Sequence, residues 1–192
     1  MVVMPSQDAV FLSAVSSEFE GARNALANHL HGHSKLTVRV QRSSRQDSRD
    51  GTLLGKLHDD VAACGTVIFL IGKRSGAGFP TPAEAAPYQH FLPADIAEAS
   101  YTQWEYFFAK GLGKACRIYI ATPDFPPHSP DPAPDDRPDL QAVFVRHLRA
   151  SGLHWTPVKN PDEFQAKALN DFLTVPGTAV PISSENKPIL LP

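Results

Sequence analysis

The string Tyr101-Thr102-Gln103-Trp104-Glu105 sets an aromatic ring and a carboxylate four residues apart, so that on a helix they stand one turn apart and point the same way. At roughly 100° per residue, Tyr101, Trp104, Phe108 and Leu112 share one apolar stripe, with Phe107 at one margin and Glu105 at the other. A carboxylate at such a margin is expected to be partly desolvated yet reachable, with a raised pKa and an aim into a cleft. A negative group so placed can hold a positive charge that develops on a substrate.

Other chemistry-bearing residues are scattered. Arg42, Arg45 and Arg49 fall between residues 41 and 51, where guanidinium groups suit a pyrophosphate or a neighbouring subunit; a solvated basic loop balanced by Asp47 and Asp50 reads equally well. The run Gly72-Lys73-Arg74-Ser75-Gly76-Ala77-Gly78 is not a phosphate-binding loop, because that motif needs lysine after its second glycine and a helix starting there. His29, His31 and His33 alternate, whereas two ligands on one helix face prefer a spacing of three or four. Asp59, Asp60 and the acidic residues from Asp131 to Asp139 read as solvated charge.

The elements that must position these groups alternate. Residues 9–15 form an almost unbroken apolar run, as a strand buried on both faces requires. Ser17 and Glu20 then read as a capping box, followed by Phe19, Ala22, Leu26 and Leu30 at helical spacing. Residues 36–40 form a short strand, residues 41–51 a long loop, and Leu53, Leu54, Leu57, Val61 and Cys64 a helix capped by Asp50 or Thr52. Residues 66–72 are the clearest buried strand and are placed at the sheet centre. Residues 76–93 carry too many glycines and prolines for a continuous helix. A helix to about Leu112, a strand over 117–121, a proline- and aspartate-rich excursion, a helix over 140–150, a strand over 153–158 and a last helix opened by Asn160-Pro161-Asp162-Glu163 complete the chain. Five β-α repeats predict an α/β, flavodoxin-like three-layer sandwich with a central five-stranded parallel sheet. Ligands then bind where the strands end, over the loops after Val15, Val40, Gly72 and Ala121.

Composition narrows the class. The 192 residues suit one domain with a tail: an extension over 1–8, a domain over 9–173 and a linker over 174–192. With 42% hydrophobic residues, 20% charged residues and a net charge of -2, the chain carries no field that would draw it to nucleic acid or an anionic membrane. Two cysteines, Cys64 and Cys116, imply neither a disulfide framework nor a zinc site. No apolar stretch approaches the ~20 residues of a membrane span, so a cytoplasmic location is expected.

The ordered set of Val10-Phe11-Leu12-Ser13 in the first strand, the loop after the second strand and Tyr101-Thr102-Gln103-Trp104-Glu105 after the third resembles a TIR (Toll/interleukin-1 receptor) domain of bacterial type. Members of that family frequently carry Trp-Cys-x-x-Glu at this helix; Tyr101 and Thr102 replace the first two residues and Glu105 is retained. The resemblance implies an NAD+ glycohydrolase, with ADP-ribose cyclisation also possible chemically, in which Glu105 is catalytic and Ser13, Ala14, Tyr101, Arg42 and Arg45 bind substrate. Ala14 stands where the family often has a polar or aromatic group. NAD is then the substrate, and no cofactor or metal is required. Nicotinamide leaves a pyridinium as a neutral molecule, so one carboxylate near the ribose is chemically sufficient. The family also implies activation by self-association into oligomers or filaments, a fused C-terminal sensor or nucleotide-binding module, and a role in bacterial immune signalling. A non-catalytic TIR scaffold that signals by homotypic association is the alternative. A nucleoside deoxyribosyltransferase, which also uses a glutamate at a glycosidic bond, is a third class.

Overall fold

A computed structural model describes residues 6–33, 37–40, 51–132 and 136–173. Five parallel strands, β1 (Ser6–Ala14), β2 (Thr37–Val40), β3 (Cys64–Ile71), β4 (Ala115–Ala121) and β5 (Trp155–Val158), lie in the order β2-β1-β3-β4-β5. This is the flavodoxin-like order, whose switch point falls between β1 and β3. The predicted fold class is correct, and β3 is the middle strand as expected.

Strand periodicity sorts the core into two layers. Phe11 of β1, Val67, Phe69 and Ile71 of β3 and Ile118 and Ile120 of β4 face the helices α2 (Leu53–Ala62), α4 (Tyr101–Gly111) and α5 (Pro138–Ala150). Val10, Leu12, Ile68, Leu70, Tyr119 and Val158 face the other way, against α1 (Ser16–His33) and α6 (Pro161–Leu173). Thr52 caps α2 by accepting from the Gly55 N–H, and Asn160 with Glu163 caps α6 as the sequence predicts. Between β3 and α4 lie a single helical turn, α3 (Pro82–Ala85), and a 3₁₀ helix over Ala86–Phe91, which is how a segment too broken for one helix still packs. No described helix is long and apolar enough to cross a membrane.

The expected Ser17–Glu20 capping box does not form. α1 starts two residues earlier than that cap would allow, at Ser16, with the Glu18 and Phe19 N–H groups on the Val15 carbonyl. Glu20 instead faces His128 at 3.4 Å. The reason is tertiary: the first turn of α1 is claimed by the loop after β3. Glu18 Oε1 accepts from the Lys73 N–H (2.9 Å) and Oε2 from the Arg74 N–H (3.1 Å). Burial pushes the Glu18 pKa up, and these two donors offset part of the rise. Gly72 permits the approach, since a Cβ there would run into the Glu18 carboxylate. Gly72→Ala is therefore expected to break this clamp at a cost of about 1–3 kcal/mol, seen as a fall of roughly 2–4 °C in Tm per kcal/mol for a chain of this size; an unchanged melting curve would show that Glu18 has an equally good alternative site.

Candidate functional site

Glu105 rides on α4, whose start is fixed with unusual completeness. Ser100 accepts from the Gln103 N–H and Gln103 Oε1 accepts from the Ser100 N–H, which is a capping box. The Ser100 hydroxyl donates to the Ser75 carbonyl at 2.5 Å, and the Tyr101 N–H donates to the Gly78 carbonyl. Gln103 Nε2 donates to Gln141 Oε1 (2.9 Å) and Gln141 Nε2 to the Gly72 carbonyl (2.8 Å). One buried chain of amides thus ties α4 and α5 to the end of β3, and such a chain is worth most when every member is satisfied.

Held this way, α4 turns Glu105 inward. Its side chain is 0% exposed, not at the reachable margin that its spacing predicts. The stripe misjudged it because α4 is buried around most of its circumference, from Gln103 through Ala109, and a two-sided helical wheel has no meaning for such a helix. Glu105 Oε2 accepts from the Ser13 hydroxyl at 2.5 Å, while Oε1 has no hydrogen-bond partner among the described residues. Burial pushes the Glu105 pKa up to about 8; the Ser13 hydrogen bond and the Arg23 charge pull it back, and Asp60 adds to the rise. At neutral pH this group is mostly the uncharged acid.

The remaining expected site residues divide. Ser13 meets Glu105 directly. Ala14, one residue on, points to the opposite layer and packs with α1 and α6. Tyr101 is buried, its hydroxyl donates to Glu84 at 2.8 Å and its ring lies against Gly78, so it is engaged by the loop after β3 and not by the Glu105 carboxyl. Arg42 and Arg45 lie outside the described residues. Two groups read as solvated charge are structural. Asp60 pairs with Arg39 at 2.8 Å and Lys56 at 3.6 Å, and Asp136 accepts from the Ser75 N–H and hydroxyl at 2.7 and 2.8 Å.

The loop after β3 has the donors of an anion cradle, but its own carboxylates fill it: Glu18 takes the Lys73 and Arg74 N–H groups and Asp136 takes that of Ser75. Arg74 donates to the carbonyls of Ser17, Ser129, Pro130 and Asp131, pinning the excursion after β4 over the start of α1. A void of about 20 Å³ bordered by Ser13, Gly72, Ser75, Thr102 and Gln103 has room for about one water. A far larger cavity, about 660 Å³, lies against Trp104 beneath Pro80, Leu92 and Ala99, but Glu105 does not line it; hydrogen-bond geometry, not cavity size, marks the chemically distinctive place.

A family model described as Domain of unknown function (DUF4062) matches residues 9–172. The chain belongs to this family. No curated protein matches it. The match runs from within β1 through most of α6.

Sequence reasoning passed over one residue of this DUF4062 domain. Arg23 is 7% exposed on α1, and its Nη1 donates to the Ala14 carbonyl (3.4 Å) and the Ser16 hydroxyl (3.1 Å) at the top of β1. A signal was present, since Phe19, Arg23, Leu26 and Leu30 share one helical face and an arginine inside an apolar stripe is out of place.

The raised pKa has a sign. The folded state keeps the Glu105 proton up to about pH 8, whereas the unfolded chain releases it near 4.5; this group's contribution to stability is whole below pH 4.5 and is lost as pH rises through 8. Wild-type Tm is expected to fall relative to that of Glu105→Gln between pH 5 and pH 8, read by calorimetry at both. Ser13→Ala should cost about 1–3 kcal/mol at pH 6, and a Tm difference that ignores pH would show Glu105 already ionised in the fold.

Proposed function

We propose that this DUF4062 domain is an NAD-cleaving enzyme of TIR type, in which Glu105 supports rupture of the bond between ribose and nicotinamide and self-association turns the activity on. The observation that carries the reading is a fully buried carboxyl with one free oxygen, set beside the switch point at the carboxyl edge of a parallel sheet. The bond breaks through an oxocarbenium-like state on the ribose, and a carboxylate oxygen beside that carbon lowers its energy. Because nicotinamide leaves neutral, no second acid is needed.

The resting arrangement is silent by the same physics. With its pKa near 8, Glu105 is mostly protonated at neutral pH, and a neutral acid stabilises a developing cation poorly. Any rearrangement that admits substrate and water also restores hydration, lowers the pKa and ionises the group. Assembly that opens the site would therefore supply access and charge together. In bacterial immune signalling, the role the resemblance implies, such a latch suits an enzyme that must stay off until triggered.

The complete burial of Glu105 also favours a second reading, a non-catalytic module in which the Ser13–Glu105 bond only locks α4 to β1 and association alone conveys the signal. Nicotinamide release measured across a range of protein concentrations separates the two. The catalytic reading expects a rate that climbs more steeply than protein concentration and drops about a hundredfold or more in Glu105→Gln. Equal rates in both proteins, with light scattering showing unchanged association, would leave the scaffold reading standing.

A further inference from the structure

Arg23 is a buried guanidinium with no carboxylate paired to it among the described residues, and its Nε has no hydrogen-bond partner. Taking a cation out of water without a counter-charge carries a large desolvation penalty. Ion pairing elsewhere in the molecule goes to exposed or half-exposed groups such as Arg39 with Asp60 and Lys167 with Glu163, so the fold does not lack carboxylates. Among the described residues none of them pairs with Arg23, which is buried where those groups are not.

The place matters as much as the charge. Through the Ala14 carbonyl and the Ser16 hydroxyl, the guanidinium sits at the top of β1, on the α1 side of the sheet. Through Ser13, Glu105 sits at the top of the same strand on the α4 side. Their anchors, Ser13 for Glu105 and Ala14 and Ser16 for Arg23, are neighbours in the chain, yet no hydrogen bond joins the two side chains. Two fully or nearly buried polar side chains, one cationic and one acidic, thus straddle a single strand end, each with an atom left unsatisfied and both beside the switch point. Open parallel sheets take ligands over this crevice, touching groups from both faces. A ligand that answers both atoms carries an anionic oxygen for the guanidinium and hydroxyls for the carboxyl within a few bonds of each other, which describes a ribose bearing a phosphate.

We infer that Arg23 and Glu105 form the two halves of one ribose-phosphate subsite over the end of β1, Arg23 binding the phosphate and Glu105 Oε1 accepting from the ribose hydroxyls. This rests on the NAD reading for its substrate but not for its binding chemistry. Arg23 acts on the phosphate ester and takes no part in bond cleavage.

Titration calorimetry of the full chain with ribose 5-phosphate, ADP-ribose and unphosphorylated ribose tests it, using wild type, Arg23→Met and Arg23→Lys. Wild type is expected to bind ribose 5-phosphate at least about tenfold more tightly than ribose, in line with one charge-assisted contact. Arg23→Met should abolish that preference and Arg23→Lys restore part of it, since a point charge replaces a two-pronged donor. Arg23→Met should also melt no lower than wild type, because it removes a buried unpaired charge. If NAD is cleaved, the same variant should raise KM for NAD about tenfold or more with kcat little changed. Phosphate preference that survives in a folded Arg23→Met protein, or an unchanged KM, overturns the inference and leaves NAD cleavage intact. Arg23-dependent phosphate binding by a protein that releases no nicotinamide sustains the inference and overturns the cleavage reading.

Discussion

A carboxyl group without water around it is either neutral or matched by a cation, and the end of β1 is organised by that constraint. Glu105 meets it by keeping its proton and taking the Ser13 hydroxyl on one oxygen. Arg23, within electrostatic range across the strand, meets it only by moderating the pKa, because no bond joins the two. The strand end therefore holds a buried cation and a buried, largely protonated acid on its two faces, with no hydrogen bond between them. Such an arrangement is poor for stability, and on the reading proposed above a ligand that satisfied both groups would offset that cost.

Everything around that point is fixed firmly enough to sustain it. The capping box at Ser100 and the amide chain from Gln103 through Gln141 to the Gly72 carbonyl set the rotation and height of α4. The loop after β3 is tied by Glu18 and Asp136 to α1 and to the start of α5, and Arg74 joins the Ser17 carbonyl of α1 to three backbone carbonyls of the excursion after β4. In a phosphate-binding loop these N–H groups would face a ligand; here internal carboxylates occupy them.

The alternation of strands and helices, the central β3 and the Thr52 and Asn160 caps were all legible in the sequence, because each depends on hydrophobic period or on local hydrogen bonding within a few residues. Legibility stopped where a residue's role depends on a partner far along the chain. Glu18 answers to residues 55 and 56 positions away, Ser75 to Asp136 at 61, and Glu105 to Ser13 at 92. Nothing in the spacing around Ser17 and Glu20 announces that Glu18 belongs to the loop after β3, and Asp136 within an acidic run looks no different from its solvated neighbours.

The sequence by itself determined the fold class, the parallel sheet with its crevice at the strand ends, and the presence of a carboxylate and an aromatic ring one turn apart on α4. Only the tertiary structure decided that Glu105 is sealed and protonated, that Tyr101 turns to Glu84, and that Arg23 is buried beside the same strand with no carboxylate paired to it among the described residues. The physical reason is dielectric: periodicity tells which face of a helix is apolar, but the charge state of a buried group is set by every element packed around it, and α4 is enclosed on nearly all sides.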